Sequence, residues 1–317
     1  MTRLVIGVDG GGTSTRCVLA TESGEVVGRG YGGAANALSA TDPGGSLRAA
    51  LLAALGGLDP ARVAGGVLGL AGADSAPERA EAVAAEAWCA TGLAGRPEVV
   101  PDMLVAFAGA TREPSGAVLV AGTGAVAARI EDRRVVRRAD GYGWLLGDEG
   151  SGAWIGLRAV RAALASLDGR AGPTALCEAV LGDPAPRDAS IRWIVGAVGA
   201  GVAEDGPSWL ARLAPAVESA ARAGDETAAE ILREAALRLT RTVLSLGPGP
   251  GPLVLAGSLL TGPTLLAARV RAGLPGTVVT ARDGAAGAAA LALHALSPRA
   301  CAAHLRLIAR DDGPARA

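Results

Sequence analysis

The segment GVDGGGTST, residues 7–15, sets the first expectation for the fold of this chain. It lies between two apolar runs, residues 4–8 and 16–20, that are typical of short strands. Three consecutive glycines let backbone N–H groups approach an anion closely, threonine hydroxyls can donate to phosphoryl oxygens, and a carboxylate can hold Mg²⁺ through water. The segment therefore predicts a phosphate-binding turn between two strands, with Asp9 at the metal and Gly10, Gly11, Gly12, Thr13 and Thr15 at the phosphates.

Two familiar nucleotide-binding loops do not fit this segment. A P-loop needs a lysine after its last glycine, and all 30 basic residues of the chain are arginine. A dinucleotide-binding loop opens a helix, whereas residues 16–20 have the pattern of a strand. A tight hairpin with surplus glycine remains as the alternative that binds nothing.

Composition restricts the class of protein further. The chain has 317 residues, 50% of them hydrophobic and 19% charged, which suits a soluble protein of about two domains. Its net charge of −1 gives no field that would collect a nucleic acid. No apolar run approaches the roughly 18 to 20 residues of a membrane span. Four separated cysteines fit a reducing compartment, so we expect a cytoplasmic protein with a small-molecule partner.

The rest of the chain predicts the same arrangement twice, a meander of short strands followed by alternating helices and strands. A strand at residues 26–29 completes a meander, and helices 43–55 and 77–90 then alternate with strands 63–70 and 98–100. A second meander, strands 118–121, 125–130 and 134–137, is followed by helices 152–167, 173–181, 191–198, 214–223, 225–246, 263–271 and 284–296 and by strands 253–256 and 278–281. The repetition predicts an α/β fold of two similar domains facing a cleft, residues 1–112 and 113–297, and leaves open the placement of a helical tail, 298–317.

Asp102 is the candidate general base. It follows Pro101 at the end of a predicted strand, where α/β domains often present functional groups. Since the chain has no lysine and its two histidines lie near the C-terminus, acid–base chemistry falls to carboxylates. In phosphoryl transfer a carboxylate orients the attacking hydroxyl and takes its proton. The alternative is that Asp102 only caps the short helix that follows it.

The segment GYGWLLGDEGSG, residues 141–152, predicts a sugar pocket. Aromatic faces suit the C–H faces of a sugar, and the adjacent carboxylates Asp148 and Glu149 suit its hydroxyls. The alternative is that both carboxylates cap the helix that begins at residue 152.

Three further small-residue sites are weaker signals. The turn Gly122-Thr123-Gly124 could cradle the other side of the same phosphates, although it could also be a plain hairpin or, with Asp140, part of a dinucleotide fingerprint. Gly257 and Ser258 follow a buried strand and Gly284 opens a helix, so that a base or ribose could lie against the backbone, or the glycines could serve packing alone.

Four motifs in this order resemble the BadF/BadG-type ATPase family, specifically its N-acetylglucosamine kinase branch: GVDGGGTST from Gly7, PD at Pro101, AGTGA from Ala121 and GDEGSG from Gly147. More broadly, the turn at Asp9, the turn at Gly122 and the Ala256-Gly-Ser segment are similar to the two phosphate loops and the adenosine motif of the actin-like, hexokinase and heat-shock chaperone ATPase superfamily.

The resemblance implies two actin-like, ribonuclease H-like domains, ATP and Mg²⁺ as cofactors, and Asp102 as the catalytic base. It also implies sugar contacts from Asn36, Thr123, Gly141, Tyr142 and Asp148, with Tyr142 standing where the family's best-known members carry tryptophan. We therefore expect an amino-sugar kinase that converts N-acetylglucosamine to its 6-phosphate. A glucosamine or N-acetylmuramate kinase, a non-catalytic sugar sensor, an ATPase that activates a partner enzyme, and a homodimer all remain open.

Overall fold

The first sheet contains the predicted meander. The computed structural model of the protein describes residues 3–181, 187–297 and 300–309. The strands of this sheet are β1 (Leu4–Gly10), β2 (Thr15–Thr21), β3 (Val26–Gly32), β4 (Val63–Leu70) and β5 (Glu98–Pro101), paired in the order β3-β2-β1-β4-β5. Strands β1 to β3 are antiparallel neighbours, whereas β4 and β5 run parallel to β1 and to each other. The carboxyl ends of three parallel strands therefore meet at one edge, at Gly10, Leu70 and Pro101.

Helices α1 (Pro43–Leu55) and α2 (Pro77–Ala90) accompany the first sheet as predicted. Helix α1 lies directly on β3 because Gly28 and Gly30 carry no side chain: a Cβ on either would overlap a carbonyl oxygen of the helix. The fully buried Trp88 belongs to the apolar core between these helices and the sheet.

The second sheet repeats the first. Helix α3 (Asp102–Ala108) leads to β6 (Gly116–Ala121), β7 (Ala125–Glu131) and β8 (Arg134–Asp140), and β9 (Leu253–Ala256) and β10 (Val278–Thr280) complete the order β10-β9-β6-β7-β8. An antiparallel meander is again extended by two parallel strands. The prediction of two similar α/β units is confirmed.

A group of helices separates β8 from β9 in the chain. These are α4 (Gly152–Leu167), α5 (Leu176–Leu181), α6 (Arg187–Asp205), α7 (Pro207–Ala211), α8 (Ala214–Arg222) and α9 (Glu226–Leu244), and α10 (Ser258–Thr261) and α11 (Leu265–Ala272) follow β9. The predicted helix 173–181 begins later, at α5, because Thr174 and the N–H of Ala175 donate to the carboxylate of Asp225. The same carboxylate caps α9. None of the described helices is long and apolar enough to cross a membrane.

The last two helices pack on the first unit. Helix α12 (Gly284–Leu296), expected in the second domain, packs on β1, β2, β4 and α3. A Cβ on Gly7 would overlap the backbone of Ala289, and one on Gly287 would overlap the carbonyl oxygen of Val105. Helix α13 (Cys301–Ile308) lies beside α12. Both helices therefore belong, by their packing, to the first unit, and of the predicted tail 298–317 the residues 298–299 and 310–317 lie outside the described part.

Two histidines join α13 to the helices beneath it. His304 is buried, with Nε2 2.8 Å from the carbonyl oxygen of Ala108 and Nδ1 3.2 Å from Nε2 of His294. The arrangement is satisfied when both rings are neutral, with each Nε2 donating. Burial lowers the pKa of both histidines, to about 4 for His294, and the guanidinium of Arg133 acts in the same direction.

Candidate active site

The first phosphate turn lies at the carboxyl edge of the first sheet. The N–H of Gly11 donates to the carbonyl oxygen of Ser14, 3.0 Å away, and the carbonyl oxygens of Gly10 and Gly11 accept from the backbone of Ala71 and Ala35. The carbonyls thus face the body of the first unit. The backbone N–H groups at 12 and 13 make no hydrogen bond among the described residues, and both residues are exposed. The turn therefore presents free donors, as phosphate binding requires.

Thr15 does not belong to this exposed surface. It is fully buried, and its hydroxyl donates to the carbonyl oxygen of Gly33 at 2.7 Å. The hydroxyl proton is engaged with the backbone, so the expected contact between Thr15 and a phosphoryl oxygen does not fit the geometry. Thr13 keeps an exposed side chain.

Asp9 lies at the end of β1, against the first residue of α12. A Cβ on Gly284 would overlap the Asp9 carboxylate, so only glycine fits there. Burial, which is the largest cause, and the negative charges of Asp102 and Asp283 together raise the pKa of Asp9 to about 7, although the charge of Arg16 opposes them. Asp9 and Asp102 are therefore close enough to interact electrostatically, and the predicted metal residue and the predicted base share one site.

Asp102 begins α3, at the end of β5. Its Oδ1 accepts from the N–H of Met103, the next residue, at 2.9 Å, but Pro101 is the N-cap of α3 and no side chain caps this helix, so the alternative that Asp102 only caps the helix does not hold. Its Oδ2 accepts no hydrogen bond within the part of the chain that the structure describes. Burial raises the pKa of the Asp102 carboxyl to about 6, the Met103 hydrogen bond opposes this, and the charge of Asp74 adds to it. One oxygen of a moderately basic carboxylate is thus available to accept a proton.

The second phosphate turn joins β6 to β7. The carbonyl oxygens of Gly122 and Thr123 accept from the N–H groups of Gly152 and Ala153, at 2.8 and 3.1 Å, in the first turn of α4. Because an antiparallel strand and not a helix follows Gly124, the dinucleotide fingerprint is excluded. Gly257, with φ of +86°, approaches so closely that a Cβ would overlap the carbonyl oxygen of Ala121. The turn and the predicted adenosine residues Gly257 and Ser258 therefore lie together.

The sugar loop, residues 141–149, follows β8. Asp148 rests its carboxylate against the second phosphate turn, 2.8 Å from where a Cβ on Gly124 would stand. Burial raises the pKa of Asp148 to about 6, and the nearby charge of Asp140 contributes to the rise. The alternative that Asp148 and Glu149 cap α4 is wrong, since Ser151 is the cap and accepts from the N–H of Trp154. The Asp148 carboxylate therefore does not cap α4; backbone hydrogen bonds from Ala125 and Gly143 act on it and lower its pKa against the effect of burial.

Glu149 faces a different partner. Its carboxylate pairs with Arg238 on α9, whose guanidinium lies over the ring of Trp154, 5.1 Å from the centroid. Arg238 also pairs with Glu234. Glu149 thus ties the sugar loop to α9 before any ligand is present, which makes it a weaker candidate for a sugar contact than Asp148.

Asn36 supports a turn and keeps a free donor. Its Oδ1 accepts from the N–H groups of Leu38 and Ser39, at 2.8 and 3.2 Å. The Nδ2 group has no partner among the described residues, and the residue is half-buried. A Cβ on Gly72 would stand 3.1 Å from Oδ1, which places Asn36 beside the loop that follows β4.

An ion pair between the two units was not predicted. Arg138 on β8 pairs with Asp74, in the loop after β4, and also lies 5.6 Å from the ring centroid of Tyr142. Asp74 acts on Asp102 through its charge, and Tyr142 is 60% exposed. This chain of contacts brings Asn36, Asp102 and the sugar loop to the same cleft. No sequence signal distinguishes Arg138 from the neighbouring arginines of β8.

Two repeated five-stranded sheets, with glycine-rich turns at corresponding positions and Asp102 where the first sheet ends, are typical of the actin-like ATPase fold. The chain matches the BadF/BadG/BcrA/BcrD ATPase family over residues 6–292 and belongs to that family. The family resemblance expected from the motifs is thereby confirmed.

Curated relatives of the chain are sugar kinases. It is 31% identical over 178 residues to an N-acetylmuramic acid/N-acetylglucosamine kinase of Clostridium acetobutylicum, a match that spans 55% of this chain and 58% of that protein. It is 29% identical over 265 residues to the glucosamine kinase GspK of Vibrio cholerae, spanning 80% of this chain and 84% of that one.

Solved structures agree with the fold. A Chromobacterium violaceum protein, provisionally assigned as an N-acetylglucosamine kinase, superposes with a TM-score of 0.74 at 30% identity, over 92% of this chain and 99% of that one. A glucokinase of the ROK family from Streptomyces griseus superposes with a TM-score of 0.56 at 21% identity, over 93% and 99%. The second likeness concerns the fold alone.

Proposed function

We propose that the chain is a cytoplasmic kinase that transfers the γ-phosphoryl group of ATP to the 6-hydroxyl of an amino sugar, with N-acetylglucosamine as the preferred substrate. The observation that carries the proposal is the Asp102 carboxylate, which has one free oxygen and is electrostatically coupled to Asp9 at a phosphate turn. The activities of both curated relatives support the substrate class.

The nucleotide would lie between the two phosphate turns. The free N–H groups at Gly12 and Thr13 would donate to the phosphates from one side, and the turn at Thr123 and Gly124 from the other. Gly257 and Ser258 lie against the second turn, where a backbone without bulk admits a ribose or base. Gly10, Gly11 and Gly284 would keep the approach to the phosphates clear.

Asp9 fits a magnesium ion that is shared with ATP. Among the described residues no group of three or more His, Cys, Asp and Glu side chains could hold a metal ion. Mg²⁺ is usually bound by one or two carboxylates together with substrate phosphates, so a single Asp9 suffices. When bound, the ion neutralises charge that develops on the transferred phosphoryl group.

Asp102 would accept the proton of the attacking hydroxyl. Because its pKa of about 6 lies just below neutral pH, the carboxylate is ionised at pH 7 and still basic enough to take a proton late in the transfer. The Met103 hydrogen bond keeps Oδ1 in place and leaves Oδ2 for the substrate.

The sugar would be oriented by groups from both units. Asn36 would donate through Nδ2, and Asp148 would accept from sugar hydroxyls, with Thr123 and the backbone at Gly141 beside it. The ring of Tyr142 would pack against the C–H face of the sugar. The guanidinium of Arg138 lies over the Tyr142 ring, 5.6 Å from its centroid. Glu149 would bind the sugar only if a sugar hydroxyl competed with Arg238 for its carboxylate.

A coupled assay of ADP release over a panel of N-acetylglucosamine, glucosamine, N-acetylmuramate and glucose tests the proposal. We expect the highest kcat/KM for N-acetylglucosamine, and ³¹P NMR of the product should place the phosphate on the 6-position. Preference for glucosamine or N-acetylmuramate would mean that the kinase acts on that amino sugar and not on N-acetylglucosamine. Sugar binding without product would indicate a sensor, and hydrolysis indifferent to sugars would indicate an ATPase that activates a partner. Sedimentation of the same sample would show whether the kinase is a homodimer.

A further inference from the structure

The carboxylate of Asp140 closes the sugar loop into a ring. Asp140 is the last residue of β8, and its Oδ1 accepts from the N–H groups of Gly141 and Asp148, at 2.8 and 2.7 Å. Its Oδ2 accepts from the N–H of Glu149 at 2.8 Å. One side chain thus binds the first residue and the last two residues of the loop.

The backbone at both ends of this ring is unusual. Asp140 and Asp148 have φ of +62° and +55°, in the left-handed region that non-glycine residues seldom adopt. Three hydrogen bonds to a charged acceptor, each stronger than a bond between neutral groups, hold this conformation. The carboxylate also passes so closely over Gly147 that a Cβ there would overlap Oδ1. The loop is therefore built around the Asp140 carboxylate.

Asp140 holds the backbone of Asp148, while backbone hydrogen bonds from Ala125 and Gly143 act on its carboxylate, so the loop conformation and the direction of the Asp148 side chain are fixed together. The Asp148 carboxylate rests against Gly124 of the second phosphate turn, and Glu149 is held from the other side by Arg238. Removal of the Asp140 carboxylate releases three N–H groups at once and frees both left-handed residues to relax. The change would disturb Asp148, the proposed sugar contact, and would leave the hydrogen bonds of the two phosphate turns intact.

We propose that Asp140 is a positioning residue for sugar recognition: it holds Asp148 in its binding orientation, and sets the affinity for the sugar but not for ATP. The inference rests on the proposed kinase function. Asp140 itself need not touch the substrate, because both of its oxygens are engaged by the backbone.

The test compares Asp140→Asn with wild type and with Asp132→Asn. Asp132 lies in the turn before β8, at the opposite end of the strand, and also has positive φ, of +47°, so the control makes the same chemical change away from the cleft. Initial rates would be measured with N-acetylglucosamine and ATP varied in turn, and sugar binding by calorimetry. In Asp140→Asn the amide oxygen can still accept from Gly141 and Asp148, but the NH₂ group that replaces Oδ2 cannot accept from the N–H of Glu149, and the charge is lost. We expect the sugar KM and Kd to rise about 5- to 150-fold, the range for a lost buried hydrogen bond, while the ATP KM changes less than about twofold.

Gly147→Ala is the second variant, and it keeps Asp140 intact. Its methyl group would displace the Asp140 carboxylate and would also lie 3.2 Å from Tyr142, so the sugar KM should rise selectively again, and Tyr142→Ala measures the part that comes from Tyr142. This variant serves if Asp140→Asn does not fold. Wild-type turnover together with unchanged sugar KM in the folded variants would overturn the role of Asp140 alone. An equal rise in both KM values with a lowered Tm would also overturn it, because that pattern belongs to a purely structural residue. Failure of the wild type to phosphorylate any amino sugar would overturn the proposed function, and this inference with it.

Discussion

Replacing Asp102 with asparagine removes the proposed proton acceptor and keeps the shape of the side chain. The amide oxygen can still accept from the N–H of Met103, so α3 should begin as before. An amide has no useful basicity, and loss of a general base typically costs about 10²- to 10⁴-fold in rate. We therefore expect kcat to fall by that factor, a barrier increase of about 2.7 to 5.5 kcal/mol, with little change in the binding of sugar or ATP.

The wild-type pH profile carries the same information. Burial raises the pKa of Asp102 to about 6, and a base works only when it is ionised. The rate should be near its full value from about one unit above pH 6, should be about half of it at pH 6, and should fall about tenfold per unit below that value. Asp74→Asn provides a graded control: its charge raises the pKa of Asp102, so its removal should move the acidic limb to lower pH without abolishing turnover.

Initial rates from pH 5 to 8 by coupled ADP release, with calorimetry for ligand binding, give both measurements. If Asp102→Asn retains more than about a tenth of wild-type kcat, another group is the base and the reasoning above fails.

Three further predictions concern other parts of the molecule. Asn36→Asp keeps the turn acceptor and loses the Nδ2 donor, so it should raise the sugar KM about 5- to 150-fold with an unchanged Tm; a normal sugar KM would reduce Asn36 to a turn residue. Gly7→Ala puts a methyl group into the backbone of Ala289 and should lower the free energy of unfolding by about 1 to 3 kcal/mol, measured by denaturant titration, and an unchanged midpoint would contradict the packing of α12. In the unfolded chain the histidines take up protons near pH 6.5, whereas in the folded chain the pKa of both His294 and His304 is lowered. The free energy of unfolding should therefore fall as pH drops from about 6.5 towards 4, because protonation favours the unfolded chain. His294→Leu should flatten the pH dependence of Tm in that window relative to wild type, which separates the histidines from the cleft carboxylates; identical slopes would refute this.

The sequence alone determined the elements and their repetition. Alternating or continuous apolar runs, glycine turns and helix caps act over a few residues, so the strands of both meanders, α1, α2 and α4 were predicted close to their observed bounds. Helix α9 begins after its cap Asp225 and ends just before the glycine–proline run at 247–252, both of which are local signals. The positions of both phosphate turns and of Asp102 at the end of a strand follow from the same local patterns.

Tertiary structure decided which polar groups are already engaged. Thr15 and Asp148 stand in similar glycine-rich contexts, but the Thr15 hydroxyl is bound to the carbonyl of Gly33 in the first unit, whereas the Asp148 carboxylate lies against Gly124 at the second phosphate turn. Glu149 is paired with Arg238, 89 residues away in sequence, which no local pattern reveals.

The same holds for packing between distant segments. Helix α12 lies on the first sheet because Gly7 lets the backbones approach, and on α3 because Gly287 does the same there, whereas the alanine-rich sequence of the helix suits either unit. In the sequence nothing distinguishes Asp140 from other aspartates at strand ends. Only the fold brings the N–H groups of Asp148 and Glu149 to its carboxylate. Local sequence specifies conformation over a few residues, whereas the partner of a buried polar or small residue depends on which remote segment the fold brings beside it.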